Sequence, residues 1–435
     1  MIARHRFAPV VLLLLCCLMA ACSLRTATTG STSPGGTTTS PGGTGVATPT
    51  KPLPLQNLTV DQFRKSYGVD QLIAKGFTGK GQSVVDIVSF GSPTLVQDVA
   101  TFSKRYGLPA ADIQQLYPVG PVNFDPSNSD MAGWMGETEL DVEIIHALAP
   151  DAKIVVLASP VSETEGTVGL PEFRKMEQYA FDNHLGAIVS QSWGASEYTL
   201  KDAAGQAELQ AWDTFLQSTT KQGITYLAGS GDNGATDAID STGKQFVPAP
   251  TSSFPNDDPW VTSVGGTTVE MSATQMREVA WQGSGGGFSA FYATPDYQKG
   301  VASASPTPFG GKRGLPDVSA NANPETGLII NIGGEWTGAG GTSASTPIWA
   351  ALVAIANQMA GRNLGFINPA LYQIAASNKA AQDFHDITVG NNNADASGVA
   401  VQGFSAGPGW DAVTGLGSPN APNLLPDLIA ATAGK

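Results

Sequence analysis

The run Ser83-Val-Val-Asp-Ile-Val-Ser89 holds four β-branched apolar residues and no alternation of apolar with polar positions. A strand with one wet face alternates; a continuous Val/Ile run is the pattern of a parallel strand covered on both faces. Runs of the same kind recur at Lys153–Ala158, Leu185–Ser190, Gly223–Ala228, Trp260–Val264 and Leu328–Ile332. Amphipathic stretches of helical length separate them, at Pro93–Tyr106, Glu137–Leu148, Val168–Asn183 and Asp202–Gln222. This alternation predicts one α/β domain: a doubly wound, mostly parallel sheet with helices on both faces. In such sheets a site forms in the crevice beyond the carboxyl ends of the strands, which makes reactive residues near strand ends the first candidates.

The densest acidic segment is Gly136-Glu-Thr-Glu-Leu-Asp-Val-Glu-Ile-Ile-His-Ala-Leu-Ala-Pro150. On a helix advancing about 100° per residue, Glu137 (0°) and Asp141 (about 40°) fall within the arc of Leu140, Ile144, Ala147 and Leu148. Glu139, Glu143 and His146 fall on the opposite side, where solvated charges are expected. An unpaired carboxylate on a packed face is costly, so Glu137 and Asp141 call for an explanation. Two acids one turn apart share a proton and shift each other's titration, which can supply a general base. A buried acid pair that only ties loops together is the other reading.

A nucleophile candidate lies in Gly340-Gly-Thr-Ser-Ala-Ser-Thr-Pro347, just before the helical stretch Ile348–Met359. Pro347 suits the first turn of a helix, which puts Ser343 at or just before its N-terminus, where N–H groups and the dipole favour developing negative charge. A lone serine there would read as a cap. The whole Gly-Thr-Ser-Ala-x-x-Pro string matches the serine motif of subtilisin-like peptidases, with Ser345 the less favoured choice. No histidine completes a conventional triad: His146 points away from the acids, His184 precedes a strand, and His385 sits in another loop. Asp232 follows the predicted strand Gly223–Ala228; it reads either as a turn-forming aspartate or as a buried, protonated hydrogen-bond donor to an oxyanion. Asp237 and Asp240 read as turn residues.

The ends and the composition set the context. The chain has 435 residues, net charge −14 and pI near 4.6, which argues against a nucleic-acid partner. Arg4 and Arg6 precede a short apolar run, Val10–Met19, followed by Ala20-Ala21-Cys22. Residues 1–22 read as a lipoprotein-type export signal with Cys22 as the lipidated residue, and an ordinary cleaved signal of a secreted soluble protein as the alternative. All three cysteines lie in this segment, so the body has no disulfide. Residues 23–54, rich in Ser, Thr, Gly and Pro, read as a flexible tether to a body at 55–435.

Taken together these motifs resemble the sedolisin family of serine-carboxyl peptidases. The resemblance rests on Gly-Glu-x-Glu-Leu-Asp at 136–141, Ser-Trp-Gly at 192–194, Gly-Asp at 231–232 and Arg313-Gly-Leu-Pro-Asp317. Gly-Thr-Ser-Ala at 341–344, Asp386-Ile387 and Gly-Pro-Gly-Trp-Asp at 407–411 complete it. It implies a subtilisin-like fold and a Ser343–Glu137–Asp141 triad, with Asp232 and the Ser343 N–H forming the oxyanion hole. It also implies pairing of the substrate backbone with Ser192, Trp193 and Gly194. One structural Ca²⁺ is implied, held by Asp386 and Asp411 carboxylates and by the carbonyls of Ile387, Gly407 and Gly409. The expected protein is a monomeric, acid-acting endopeptidase on proteins or peptides. A tripeptidyl exopeptidase and a non-catalytic cell-surface peptide binder are the alternatives. Two departures stand out: only the short tether occupies the place of the usual large prodomain, and Ser89 stands where some members extend the acid network with a glutamate.

Overall fold

The computed structural model describes residues 53–433 apart from positions 164, 241, 273–274, 306 and 397; the export segment, Cys22 and all but the end of the tether lie outside them. The backbone at 53–54 is already tied to the body, with Leu53 N donating to Glu270 Oε2 (2.9 Å) and Met271 N to Pro54 O (3.3 Å).

The central sheet contains β1 (Ser83–Ser89), β2 (Asp112–Leu116), β3 (Lys153–Ser159), β4 (Ile188–Gln191), β5 (Thr225–Gly229), β6 (Val261–Met271), β7 (Met276–Ala280) and β8 (Val318–Asn321). Their order is β8-β6-β5-β4-β1-β3-β2, parallel throughout, with β7 antiparallel against β6. The chain runs to one side of β1 through β2 and β3, then crosses to β4 on the other. The crevice at this switch point is where such sheets bind ligands. Successive β1 residues point to opposite faces, which sorts them between two cores. Val84 and Val88 pack with Leu140, Ile144 and the helix Thr342–Ala360; Val85 and Ile87 pack with Phe173, Trp212 and Leu216. The doubly wound, subtilisin-like α/β architecture is as expected.

Two expectations fail, and for one reason. Leu328–Ile332 does not join the sheet. Ile329–Ile332 pairs antiparallel with Glu335–Gly338 as a hairpin turning at Gly333-Gly334, both with positive φ (+59° and +86°). That hairpin, with the helix Leu95–Tyr106, covers the side of the carboxylate helix (Ser129–Leu148) expected to face water. Glu139, Glu143 and His146 are therefore fully buried. Ser92 Oγ donates to Glu139 Oε1 (2.6 Å) and Asn331 N to Glu143 Oε2 (2.8 Å); His146 Nε2 lies 3.0 Å from Ser103 Oγ. Burial raises Glu139 to about 8 and Glu143 to about 10, and lowers His146 to about 4. The strands β2 and β8 were not anticipated, β2 being an edge strand half open to solvent.

Candidate active site

The serine helix starts at Thr342, earlier than its sequence suggests, so Pro347 sits in the second turn and Ser343 in the first. In a regular helix the N–H of residue 347 would donate to the carbonyl of residue 343; proline has no N–H. The Ser343 carbonyl is thus left free, and Ser192 Oγ, just past the end of β4, lies 3.3 Å from it. The same hydroxyl lies 2.8 Å from Asp141 Oδ1. Ser192 therefore links the serine helix to the carboxylate helix.

Asp232 lies just past the end of β5. Its Oδ1 accepts from Thr342 N (2.7 Å) and from Thr342 Oγ1 (2.9 Å), while Thr342 Oγ1 accepts from Gly231 N (3.0 Å). This hydrogen direction fixes Oδ1 as an acceptor and leaves Oδ2 to carry any proton. The residue is exposed at the cleft mouth, yet crowding around its carboxyl raises its pKa despite the two donors. With Thr342 N–H taken by Asp232, the Ser343 N–H is a first-turn donor with no intrahelical acceptor. Gly341 is what allows this approach. Its φ is +94°, and a Cβ there would lie 2.5 Å from Asp232 Oδ2. Gly341→Ala is expected to displace Asp232 and lower kcat/KM by roughly 10²–10³-fold, the scale of losing one oxyanion donor; steady-state kinetics on folded variant checks it.

Glu137 is half-buried at the cleft floor. Desolvation pushes its carboxyl up to about 8; the Ser343 hydroxyl beside it pulls the other way, and Asp232 and Asp86 add like charge. Asp141, one helical turn on, is fully buried and lies well above the ordinary carboxylate range, first through desolvation, then through Asp86 and Glu137. The expected Ser343, Glu137, Asp141 and Asp232 are thus gathered in one crevice. None of the three histidines of the body reaches it. His146 is buried behind the carboxylate helix, His184 sits at φ +50° before β4, and His385 Nδ1 lies 3.3 Å from Glu278 Oε2.

Asp86 is the acid that the sequence reading passed over. It is fully buried on β1, touches Asp141, and burial raises it to about 7. The signal was a charged residue in the middle of an otherwise apolar two-face-buried strand. Ser89 does not join this network; its hydroxyl accepts from Glu163 N (2.9 Å).

A cleft of about 290 Å³ adjoins Glu137, lined by Asp130, Trp134, Glu163, Ser192 and Trp193. Trp193 is held edge-on to Phe173 (4.8 Å between ring centres) and near Trp212 (5.8 Å). Gly194 passes the chain close to Phe254, whose carbonyl oxygen a Cβ would meet at 3.2 Å. Asp240 forms the expected exposed turn with Thr242, but Asp237 is drawn inward, accepting from Ala238 N (2.8 Å) and bonding Ser253 Oγ.

Of the residues expected to hold calcium, the two aspartates contact the two glycines. Asp386 Oδ2 accepts from Gly409 N and Asp411 Oδ2 from Gly407 N, each at 3.1 Å, and Ile387 is buried beside them. Burial raises Asp386, and raises Asp411 to about 6, with no cationic side chain among the described residues acting on either. Two carboxylates bonded to one glycine loop, Asp411 at its end and Asp386 from the strand end after His385, fit a hard cation.

A subtilisin-like sheet whose serine faces a carboxyl pair instead of a histidine defines a serine-carboxyl peptidase architecture. The chain belongs to the sedolisin family of serine-carboxyl peptidases. It is 36% identical to kumamolisin of Bacillus sp. (strain MN-32) over 370 residues, 82% of this chain and 61% of that protein. It is 32% identical to human tripeptidyl-peptidase 1 over 365 residues, 79% of this chain and 62% of that protein. The chain therefore spans about three fifths of the length of these curated relatives. Its structure matches that of Pseudomonas sedolisin, solved with two molecules of pseudo-iodotyrostatin, at a TM-score of 0.70 and 26% identity, over 86% of this chain and 98% of that one. No family model matches the chain.

Proposed function

We propose that this protein is an acid-acting serine-carboxyl endopeptidase. The observation that carries the reading is the Ser343 hydroxyl against Glu137, with Asp232 bound to the adjacent Thr342 N–H, in a crevice that no histidine among the described residues enters. Ser343 Oγ attacks the scissile carbonyl carbon as its proton passes to Glu137. The carbonyl oxygen becomes an oxyanion held by the Ser343 N–H and protonated Asp232. Collapse breaks the C–N bond, and Glu137 returns the proton to the leaving amine, leaving an ester on Ser343. Water then attacks that ester by the same steps in reverse order, with Glu137 again taking the proton. Asp141 orients Glu137 throughout. Ser192, Trp193 and Gly194 offer backbone to an extended peptide, a form of strand addition.

The chemistry requires acid. Asp232 must be protonated to donate, and the Glu137–Asp141 pair must keep a shared proton. Hydrolysis of a denatured protein is expected to peak at acid pH; a maximum at clearly alkaline pH would sink these roles. Similarity to tripeptidyl-peptidase 1 supports a second reading, release of tripeptides from amino termini. Mass spectrometry of products from a peptide library separates the two, since an endopeptidase cuts blocked peptides internally.

Asp386, Asp411 and the Ile387, Gly407 and Gly409 carbonyls would hold one Ca²⁺, which pins the C-terminal loop. Chelation is then expected to lower Tm by several degrees, and Asp411→Ala to remove that response; an unchanged Tm on chelation counts against the site. Arg4, Arg6, the apolar run and Cys22 support export with a lipid anchor, or release as a soluble monomer if the signal is cleaved conventionally. Among the described residues no helix is long and apolar enough to cross a membrane. Radiolabelled palmitate incorporation that is lost in Cys22→Ser distinguishes the anchor.

A further inference from the structure

The mechanism above uses two acids of the carboxylate helix, but a third carboxyl faces them from the sheet. Asp86 lies at the centre of β1, in register with Val156 of β3 and Ser190 of β4. Strand alternation puts it on the same face as Val84 and Val88, the face on which the carboxylate and serine helices pack. It is fully buried, and neither of its oxygens has a geometric hydrogen-bond donor among the described residues. Its one side-chain partner is Asp141.

Asp141 shows the complementary pattern. Its Oδ1 receives the Ser192 hydroxyl, and its Oδ2 has no donor among the described residues. Two buried carboxyls that meet through oxygens with no other donor are held together by a proton, since two bare charges there would repel with only the Ser192 hydroxyl to compensate. The groups facing this cluster are known from every side. The carboxylate helix brings Asp141 and Glu137, β4 brings the neutral Ser190 hydroxyl, the serine helix brings Ser343, and Asp232 acts on Glu137 from beyond β5. No Lys, Arg or His among the described residues acts on the three acids.

We propose that Asp86 is a positioning residue for peptide hydrolysis: from the strand beneath the carboxylate helix it keeps the shared proton on the Glu137–Asp141 pair and so sets the upper pH limit of activity. This rests on the hydrolase reading above. Asp86 itself touches no substrate. It acts as a third acid of like charge, whose ionisation as pH rises makes the pair hold its proton more tightly. Without that acid the pair gives up its proton at lower pH.

Asp86→Asn keeps the shape and removes the titration. In pH profiles of kcat/KM it is expected to move the alkaline limb to lower pH, with kcat at the optimum down about tenfold, less than the roughly 10²–10⁴-fold of a direct general base. KM stays within about twofold of wild type, because the side chain does not contact substrate. A residue that merely fills space would change Tm and leave the limb in place. A folded Asp86→Asn with the wild-type alkaline limb overturns the proposal. Should Asp86→Asn fail to fold, Asp86→Ser gives the same readout. Ser343→Ala, assayed alongside, separates the two readings: wild type without Ser343-dependent hydrolysis at acid pH defeats the hydrolase, whereas active variants with an unmoved limb defeat only the role of Asp86. Independently of turnover, the infrared band of protonated carboxyls, followed from acid to alkaline pH, should show Asp86→Asn losing its remaining buried protons earlier than wild type.

Discussion

Glu137→Gln is expected to lower kcat by about 10⁴-fold, as deep a loss as Ser343→Ala, with KM little changed. The isosteric amide fills the same space at the cleft floor but cannot take the Ser343 proton. Nothing nearby can replace it: the body's three histidines lie elsewhere, and Asp141 is fully buried behind Ser192. The residual rate then comes from the Ser343 N–H and Asp232, which both variants leave in place. Single-turnover kinetics on a peptide ester and an amide checks the assignment. Glu137→Gln should suppress acylation by both, and a variant within tenfold of wild type on the amide would displace Glu137 as the base.

Thermal stability is expected to be greatest near pH 3–5 and to fall steadily toward pH 9. Burial places Asp258 at about 7, Glu139 and Glu165 at about 8, and Glu143 at about 10. Glu177 and Asp257 lie well above the ordinary range for the same reason. In the unfolded chain such groups titrate near 4. The folded state therefore binds more protons across the window between, and stability declines with rising pH. The contribution is complete below the unfolded pKa and is lost as pH passes the folded values. Each pKa unit is worth about 1.4 kcal/mol against a total stability of order 5–15 kcal/mol, so a few such groups are enough to make the decline measurable. Calorimetry across this range at fixed Ca²⁺ tests it; a flat Tm would refute it. Glu139→Gln localises the effect: it should raise Tm at pH 7–8 and change it little at pH 4, because Gln still accepts from Ser92 and never ionises.

Much of this was legible in the chain. The core strands were, because parallel strands buried on both faces leave continuous Val/Ile runs. The grouping of Ser343, Glu137, Asp141 and Asp232 was, because each lies in a short string on a predicted helix or beside a predicted strand or helix end. What failed was the reading of covered surfaces. An apolar run such as Leu328–Ile332 reads the same whether it enters a sheet or packs on a helix, although the Gly333-Gly334 turn pointed to a hairpin. Once that hairpin is moved onto the carboxylate helix, Glu139, Glu143 and His146 lose the solvent that a helical projection assigned them. Periodicity can say which side of a helix is more apolar, but not what lies against the other side. Pro347 misled by a similar route. It reads as a helix start, whereas here its missing N–H frees the carbonyl of the residue one turn earlier. Asp86 was hidden by its strand, whose apolar character was read from its neighbours.

The burial of the carboxylate helix from Thr138 to Leu148 on every side bears on engineering. A protease built to work at neutral pH is usually sought by altering the residues that touch substrate. Here the same twenty-residue helix carries Glu137 and Asp141, the proposed base and its partner, on one side and Glu139 and Glu143 on the other. Raising the working pH at the cleft alone is expected to yield an enzyme tuned for conditions that weaken its own scaffold. The first substitutions belong on the far side of that helix, beneath the hairpin, where no substrate ever reaches.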